Sequence, residues 1–539
     1  MSVAAGETWE RVLVVGLDLG DGGLIRQWAE EGRLPVLSSL IERGQWQWLR
    51  TTAETLHVSG WPSLYTGALP GEHGVYYTFQ PAPGRQGWFK FGGDQYGRPT
   101  FWSILSHAGV RCTVFDAPYT HPEQGSAASQ VFEWGTWAHY WRPMSTPAVL
   151  LRRLRRACGR YPLGLEALGV GMSELEPDFM KQRLAAAARA KTAAALWLMS
   201  ERPWDLFFVV YGETHPGGHY CWQPSNGRSG NRETQPTLRA VYEEIDRGVG
   251  ALLRHAGPRA SLFVVSGDGV GPNHAGWHLL PEVLRRLGYL VEPAANEPAE
   301  NAADPGSVAP RDPIRRLRDA LPKDFRKGLA RRLPDALRHR LAQRVDTAGI
   351  DWSRTRAYCL PTDLEGCVRI NLRGREAHGI VDAGAEYRQV CDDVAHALEE
   401  LTDPATGRSA VRAVIRVDDE YPGQRRHFLP DLVVLWNSEA PLTQLQSASV
   451  GTVAGVSPDR RPGTHAPPGF MLRQGPTTAG SGRERLAHVC DLAPEMLRRF
   501  GVPIPGYMRS FSGGSAAVGD GTRRFGGRAP GHTSEPPPR

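Results

Sequence analysis

Short, unbroken apolar runs recur along the chain, separated by longer stretches whose apolar residues fall at helical spacing. RVLVVGLD (11–18), RCTVFDA (111–117), DLFFVVYG (205–212), SLFVVSGD (261–268) and PDLVVLWN (430–437) are continuous rather than alternating. Such runs suit strands buried on both faces, as in a parallel sheet covered by helices. EPDFMKQRLAAAARAKTAAALWLMSE (176–201) and TLRAVYEEIDRGVGALLRHA (237–256) read as helices between them. Strand–helix alternation on this scale predicts an α/β fold with a mainly parallel sheet. No internal repeat is visible, and no apolar run approaches the roughly 20 residues that span a bilayer.

The chain has 539 residues, more than one core ordinarily fills, so one large elaborated domain or two are expected. A hydrophobic content of 41% and a charged content of 22% are those of a globular protein. The net charge of +6 raises the question of nucleic acid, but much of it lies in one segment, 311–344. There Leu317, Leu321, Leu329, Leu333, Leu337 and Leu341 recur at amphipathic helical steps, and Asp312, Asp319, Asp324 and Asp335 interrupt the basic run. A solvated helical insertion accounts for this, and no nucleic-acid motif accompanies it. The expected organisation is a first part of the core over 1–292, a linker and basic helical insertion over 293–350, the remainder of the core over 351–509, and a disordered tail over 510–539. Seven cysteines without a C-x-x-C argue against a disulfide framework or a zinc knuckle. The opening residues lack the layout of a signal peptide, so a cytoplasmic location is expected.

In open α/β sheets, ligands bind at the carboxyl ends of the strands. RVLVVGLD ends on Asp18, DLFFVVYG runs into ETHPGGHYCW with His215 and His219, and SLFVVSGD ends on Asp268. Each alone reads as an ordinary polar turn. Three such deliveries to one edge point to a metal site. A second stretch of interest is LHVSGWPSLYTGALPGEHG (56–74). Trp61–Tyr65 reads as the first turn of a helix capped by Ser59 or Gly60, with Pro62 near its start. Residues just before a helix face unpaired N–H groups that can hold an oxyanion. Whether Thr55, His57 or Ser59 is a nucleophile, His57 a ligand, or the stretch merely a capped helix stays open at this point.

These motifs, in their order, resemble the type I phosphodiesterase/nucleotide pyrophosphatase branch of the alkaline phosphatase superfamily. VVGLDLGDGGLIRQWAEEGRLPVLSSLIERG is similar to the family's opening, with Asp18 at its first metal-ligand position. WPSLYTGALPGEHGVY, WDLFFVVYGETHPGGHYCW, VVSGDGVGPNHAGWHLLPEVLRRLGYL, EGCVRINLRGREAHGIV, PDLVVLWN, RPGTHAPPGFMLRQGP and DLAPEMLRRFGVPIPGYM follow in family order. The resemblance implies an alkaline-phosphatase-like, doubly wound sheet with helices on both faces. It also implies one or two divalent ions, zinc first with manganese or iron possible, at Asp18, His215, His219, Asp268 and His465. His215, His219 and His465 would form a three-histidine set. The family's Thr or Ser nucleophile position holds His57, and its Asp-His ligand pair becomes Gly267-Asp268, one carboxylate fewer. His57 could instead complete a second set with Asp18 and Asp268.

Four functional readings follow. The first is metal-dependent hydrolysis of a small phosphorylated substrate, a phosphoric ester, with metal-bound hydroxide as nucleophile. The second is covalent catalysis through His57 or Ser59. The third is an inactive relative that binds a phosphorylated ligand or a protein partner. The fourth, a sulfatase, is set aside because the modified Cys/Ser-x-Pro-Ser/Cys-Arg segment is absent. Asn273, His274 and His278 are either cleft-lining or capping residues, and His73 is a turn residue. Tyr77, Phe79, Tyr220 and Trp222 either stack on an aryl group or pack in a core. Asp431 is expected to support the metals. Oligomeric state is not legible.

From Ser510 onward the tail lacks the apolar content to pack. Truncation after Arg509 is therefore expected to leave the melting temperature within a degree or so of the full chain. A large drop in a thermal melt would mean that the tail docks on the core.

Overall fold

A computed structural model describes residues 11–508 except 92–95, 122, 124–126, 137–142, 164–175, 224–234, 294–348, 438 and 476–486. The basic insertion over 311–344, most of the 293–350 region and the tail thus lie outside the described residues.

Nine strands form the main sheet, in the spatial order 487–488, 45–50, 469–474, 261–266, 12–17, 206–211, 112–115, 129–132, 144–146. The five from Ser261–Ser266 through Ser129–Phe132 run parallel, and antiparallel pairings occur only towards the two edges. The continuous apolar runs are explained by their two buried faces. Leu13, Val15, Leu17, Phe207, Val209, Tyr211, Leu262 and Val264 face one core, which includes the helices Gly22–Glu30, Pro35–Arg43, Pro177–Glu201 and Pro236–Ala256. Val12, Val14, Leu206, Phe208, Val210, Phe263 and Val265 face the other, with helices Gly60–Thr66, Phe101–His107 and Leu492–Arg499. Alternate side chains of one strand therefore enter different cores, so no position can be polar. The α/β, doubly wound architecture expected from the sequence is present.

Register decides where the site lies. Gly16 is level with Val210 and Val265, so the strands ending at Leu17, Tyr211 and Ser266 release their loops at one height. Asp18, the helix Thr214–Cys221 and Asp268 therefore emerge side by side.

The fifth apolar run takes a different place. Leu432–Trp436 belongs to a separate four-stranded antiparallel sheet, ordered 357–359, 366–370, 432–436, 411–416. All five of its residues are buried in a third core with helices Leu280–Arg286 and Ala385–Glu399. A central strand covered on both faces has the same pattern in either kind of sheet, so hydropathy could not assign it. Asp431, at the head of this strand, accepts from Arg375, Tyr387 and the Ile370 amide, and so braces the second lobe rather than the metals.

The segment after strand Gln45–Arg50 is held by a buried polar chain. Helix Gly60–Thr66 ends at Gly67, and a short helix Pro70–His73 follows. His73 Nδ1 accepts from the Val75 amide at 3.1 Å, which leaves Nε2 protonated to donate to Ser63 Oγ at 3.0 Å. Thr52 Oγ1 donates to the same oxygen at 3.0 Å. His73 is the turn residue expected of it.

Burial holds the His73 imidazole neutral, its pKa pushed down to about 3. The unfolded chain binds a proton near pH 6.5 that the folded one refuses, so stability falls as pH drops from 6.5 towards 3. Denaturant titrations at pH 7 and pH 5 should show a loss of about 2 kcal/mol from this group. His73→Gln, which keeps one donor and one acceptor, should remove that part of the pH dependence. An identical pH 7-to-5 loss in both proteins would refute the assignment.

Candidate active site

The site begins with the close approach of two segments. Gly16 lies where a Cβ would be 2.8 Å from the Trp61 ring. Its absence lets the indole lie across the end of the first strand, where Nε1 donates to Asp18 Oδ1 at 2.7 Å. The other oxygen, Oδ2, accepts from His215 Nδ1 at 2.7 Å. His215 and His219 are four apart on helix Thr214–Cys221 and share one face. His465 arrives on strand Gly463–Ala466, which pairs antiparallel with Gly269–Pro272 and sets His465 opposite Val270. From there His465 Nδ1 reaches Asp268 Oδ2 at 2.6 Å.

Each of the three histidines is thus anchored through Nδ1: His215 on Asp18, His465 on Asp268, and His219 on the Gly463 carbonyl at 2.8 Å. An Nδ1–H that donates leaves Nε2 as a bare lone pair. The Nε2 atoms of His215 and His219 lie 2.9 Å apart, and a ligand atom from each of the three residues falls within 4.8 Å of the others. Burial holds His215 and His219 below the usual imidazole range; for His219 the Arg461 charge adds to this, whereas for His215 Asp18 opposes it only in part. Two neutral imidazoles with lone pairs face to face repel unless a cation joins them. Carboxylate- or carbonyl-anchored imidazoles converging through one nitrogen are the arrangement of metal-ligating histidines. The residues present fit a divalent ion.

Asp18 and Asp268 serve this centre from behind. Burial opposes the charge on Asp18, but His215 and the Trp61 N–H outweigh it and lower its pKa. Both its oxygens are occupied, by Trp61 and His215. Asp268 Oδ1 is buried without a hydrogen-bond partner.

His57 belongs to a different constellation. Its Nδ1 lies 2.8 Å from Glu365 Oε2 and its Nε2 lies 2.9 Å from Asp363 Oδ1, while its amide donates to Glu365 Oε1 at 2.7 Å. Burial would lower its pKa, but Glu365 and Asp363 outweigh that and push it up to about 10. The ring is an imidazolium with no lone pair to offer. Among the described residues the one metal-capable group is His215, His219 and His465, so Asp18, His57 and Asp268 do not assemble as a second ligand set. The physical reason is that two carboxylates of the second lobe have claimed both nitrogens of His57. Ser59 is fully buried at the N-cap of helix Gly60–Thr66 and makes no cap; its hydroxyl donates to the Leu56 carbonyl at 2.6 Å.

Asp363, Glu365, Asp459 and Arg461 were not singled out from the sequence. The first two lie on the loop between strands Ala357–Cys359 and Gly366–Ile370 of the second sheet. Arg461 bonds to Asp363 Oδ2 at 2.7 Å and to Asp459, and lies 3.3 Å from His219 Nε2. The polar run TDLE, directly before a buried strand, was the available signal. Gly267, where the resemblance implies a lost carboxylate, would place a Cβ no closer than 3.6 Å to Gly60. Packing therefore does not require its glycine.

Of the remaining candidates, Asn273 donates to Asp459 Oδ2 and to the Arg461 carbonyl, so it braces the site. Tyr77 meets the His57 ring edge-on at 5.6 Å, and Tyr220 meets that of His219 at 6.5 Å. His278 lies 3.3 Å from the Gly455 carbonyl. Phe79 packs in a two-stranded hairpin with Lys90, and Trp222 closes the helix that carries His215. His274 lies on the loop between strand Gly269–Pro272 and the turn Trp277–Leu279.

A family model described as type I phosphodiesterase/nucleotide pyrophosphatase matches residues 12–445. His465 lies beyond that span. Among curated proteins, none matches the chain in sequence. Phosphonoacetate hydrolase from Sinorhizobium meliloti 1021, in complex with phosphonoformate, is similar at 14% identity and a TM-score of 0.48, covering 92% of this chain and 98% of that one. Human ectonucleotide pyrophosphatase/phosphodiesterase 5 is similar at 11% identity and a TM-score of 0.47, covering 92% and 96%. Both likenesses are distant.

Removing His57 would strand Glu365, whose side chain is only 5% exposed. In chelator-treated protein, His57→Ala should lower the unfolding free energy by about 3 kcal/mol, the cost of breaking a buried pair. His57→Ala with Glu365→Gln should lose no more than His57→Ala alone, because the amide needs no countercharge. Strictly additive losses in a double-mutant cycle would show that the pair is not coupled.

Proposed function

Because the chain belongs to the type I phosphodiesterase/nucleotide pyrophosphatase family of phosphoester hydrolases, we propose that its hydrolysis runs at a single divalent ion held by His215, His219 and His465, with water as the nucleophile. The convergence of a ligand atom from each of these three histidines, each ring fixed through Nδ1, supports this reading. Three imidazole ligands with an open position suit zinc first, with manganese or iron as alternatives. Such an ion supplies a Lewis acid for a phosphoryl oxygen and makes a neighbouring water acidic enough to react at neutral pH.

The chain's own residues support attack by water over a covalent route. A nucleophile needs a lone pair, and His57 has both nitrogens on carboxylates. The hydroxyls nearby are committed: Thr52 to Ser63, Ser59 to Leu56, and Thr55 to Tyr421. Asp268 divides its work, orienting His465 with Oδ2 while Oδ1 remains available to accept a proton from the incoming water. Asp18, Asp268, Asp363, Glu365 and Asp459 outnumber the cations Arg461 and His57, an excess of negative charge that a divalent cation offsets.

Elemental analysis of protein purified without added metal, combined with hydrolysis of bis(4-nitrophenyl) phosphate, tests this reading. His219→Ala and His465→Ala should each lose most of the bound zinc and the activity. Asp268→Ala, which removes both the anchor of His465 and the proton acceptor, should weaken metal affinity by about 10- to 100-fold and lower the activity of the zinc-loaded protein as well. Rapid quench of the wild-type reaction in acid and in alkali should trap no phospho-enzyme. Unchanged zinc in both histidine variants, or a trapped adduct, would overturn the proposal.

A further inference from the structure

We propose that Arg461 is a catalytic residue whose guanidinium binds an anionic phosphoryl oxygen of the substrate beside the three-histidine centre. This rests on the phosphoesterase reading above and extends it to how the phosphoryl group is held.

The guanidinium is fixed on two sides and open on a third. Nε donates to Asp459 Oδ1 at 2.8 Å and Nη2 to Asp459 Oδ2 at 2.7 Å, a two-pronged pair that sets the plane of the group. Nη2 also donates to Asp363 Oδ2 at 2.7 Å. Asp459 is itself held, because Asn273 Nδ2 donates to its Oδ2 at 2.8 Å. The side chain is 14% exposed, so these bonds form largely out of water. Nη1 differs. Among the described residues its partner is His219 Nε2, at 3.3 Å.

That nitrogen is one of the three whose lone pairs converge. His219 Nδ1 is tied to the Gly463 carbonyl, so Nε2 is the atom that a metal claims. Once it is claimed, Nη1 has lost its acceptor while Nε and Nη2 keep the plane in place. Nη1, on a group with full positive charge and adjacent to the centre, is then left without that partner. A group bound there with an ionised oxygen supplies one. The charge of Arg461 next to a divalent ion is offset by Asp459 and Asp363, so the arginine can remain. Arginine does not deprotonate, so its part is binding and charge stabilisation, not proton transfer. Donors positioned before the charge develops cost no reorganisation during the reaction.

The substrate class follows from this chemistry. A phosphate or phosphonate ester with at least one ionised non-bridging oxygen engages Nη1. An uncharged carboxylic ester offers it nothing comparable.

The test uses the full-length, zinc-loaded protein with Arg461→Ala and Arg461→Lys. Binding of inorganic phosphate is read by calorimetry, and kcat and KM for bis(4-nitrophenyl) phosphate are measured alongside zinc content and melting temperature. Both variants should keep the wild-type zinc stoichiometry. Arg461→Ala should lose about 100- to 1,000-fold in kcat/KM, the effect of removing one oxyanion donor, with phosphate binding weakened in parallel. Added methylguanidinium should restore part of both in Arg461→Ala, which a merely structural arginine would not allow. Should Arg461→Ala fail to fold, Arg461→Lys decides, since a lysine cannot keep the Asp459 fork and present a further N–H; it should still lose at least 10-fold. A zinc-retaining variant with wild-type phosphate affinity and kcat/KM would overturn the assignment of Arg461. Zinc-loaded wild type that neither binds phosphate nor hydrolyses the diester would instead overturn the phosphoesterase reading on which it rests.

Discussion

The hydrogen bonds that converge on Asp18 hold the rest of the site in place. One buried carboxylate ends the first strand, takes the Trp61 indole from the segment after the second strand, and orients His215 from the helix after the Leu206–Tyr211 strand. A buried charge tolerates no loose partners, so these three pieces of chain cannot move independently without leaving it unpaired. The same carboxylate decides which imidazole nitrogen of His215 keeps its lone pair. From that choice follows the pairing of His215 with His219 and, through the Gly269–Ala466 strand pair, the placement of His465 against both.

The second lobe closes the site from the other side. Its antiparallel sheet has a core of its own, yet the loop before strand Gly366–Ile370 sends Asp363 and Glu365 across to His57, and Asp363 on to Arg461. A chain of alternating charge, Glu365–His57–Asp363–Arg461–Asp459, spans the gap between the lobes. It favours the cationic form of His57 and fixes Arg461 beside His219. The position where the resemblance implies a hydroxyl nucleophile is occupied by a histidine paired with two carboxylates.

The family reading and the site geometry bear on different questions. Membership in the type I phosphodiesterase/nucleotide pyrophosphatase family gives the reaction class. The residues of this chain set how that reaction can proceed, because His57 is occupied, the nearby hydroxyls are committed and Gly267 supplies no carboxylate.

By itself the sequence determined the sheet, the long helices and the edge at which the strands release their polar residues. Continuous apolar runs such as VLVVGL and LFFVVY can be buried only between two cores, and the residues after such strands in a parallel sheet must gather at one edge. The placement of Asp18, His215, His219 and Asp268 side by side at that edge was therefore legible, and the structure brings His465 beside them. What the sequence could not determine was which atoms face which. That Asp18 meets His215 Nδ1 at 2.7 Å is visible only in the folded chain. PDLVVLWN has the same pattern in either sheet; its partners Gly366–Ile370 and Val411–Arg416 are chosen by tertiary packing. The charge of His57 depends on carboxylates some 300 residues away in sequence, at Asp363 and Glu365. Hydropathy is a local property and reports burial; protonation and ligation are set by contacts between distant segments, which only the folded chain brings together.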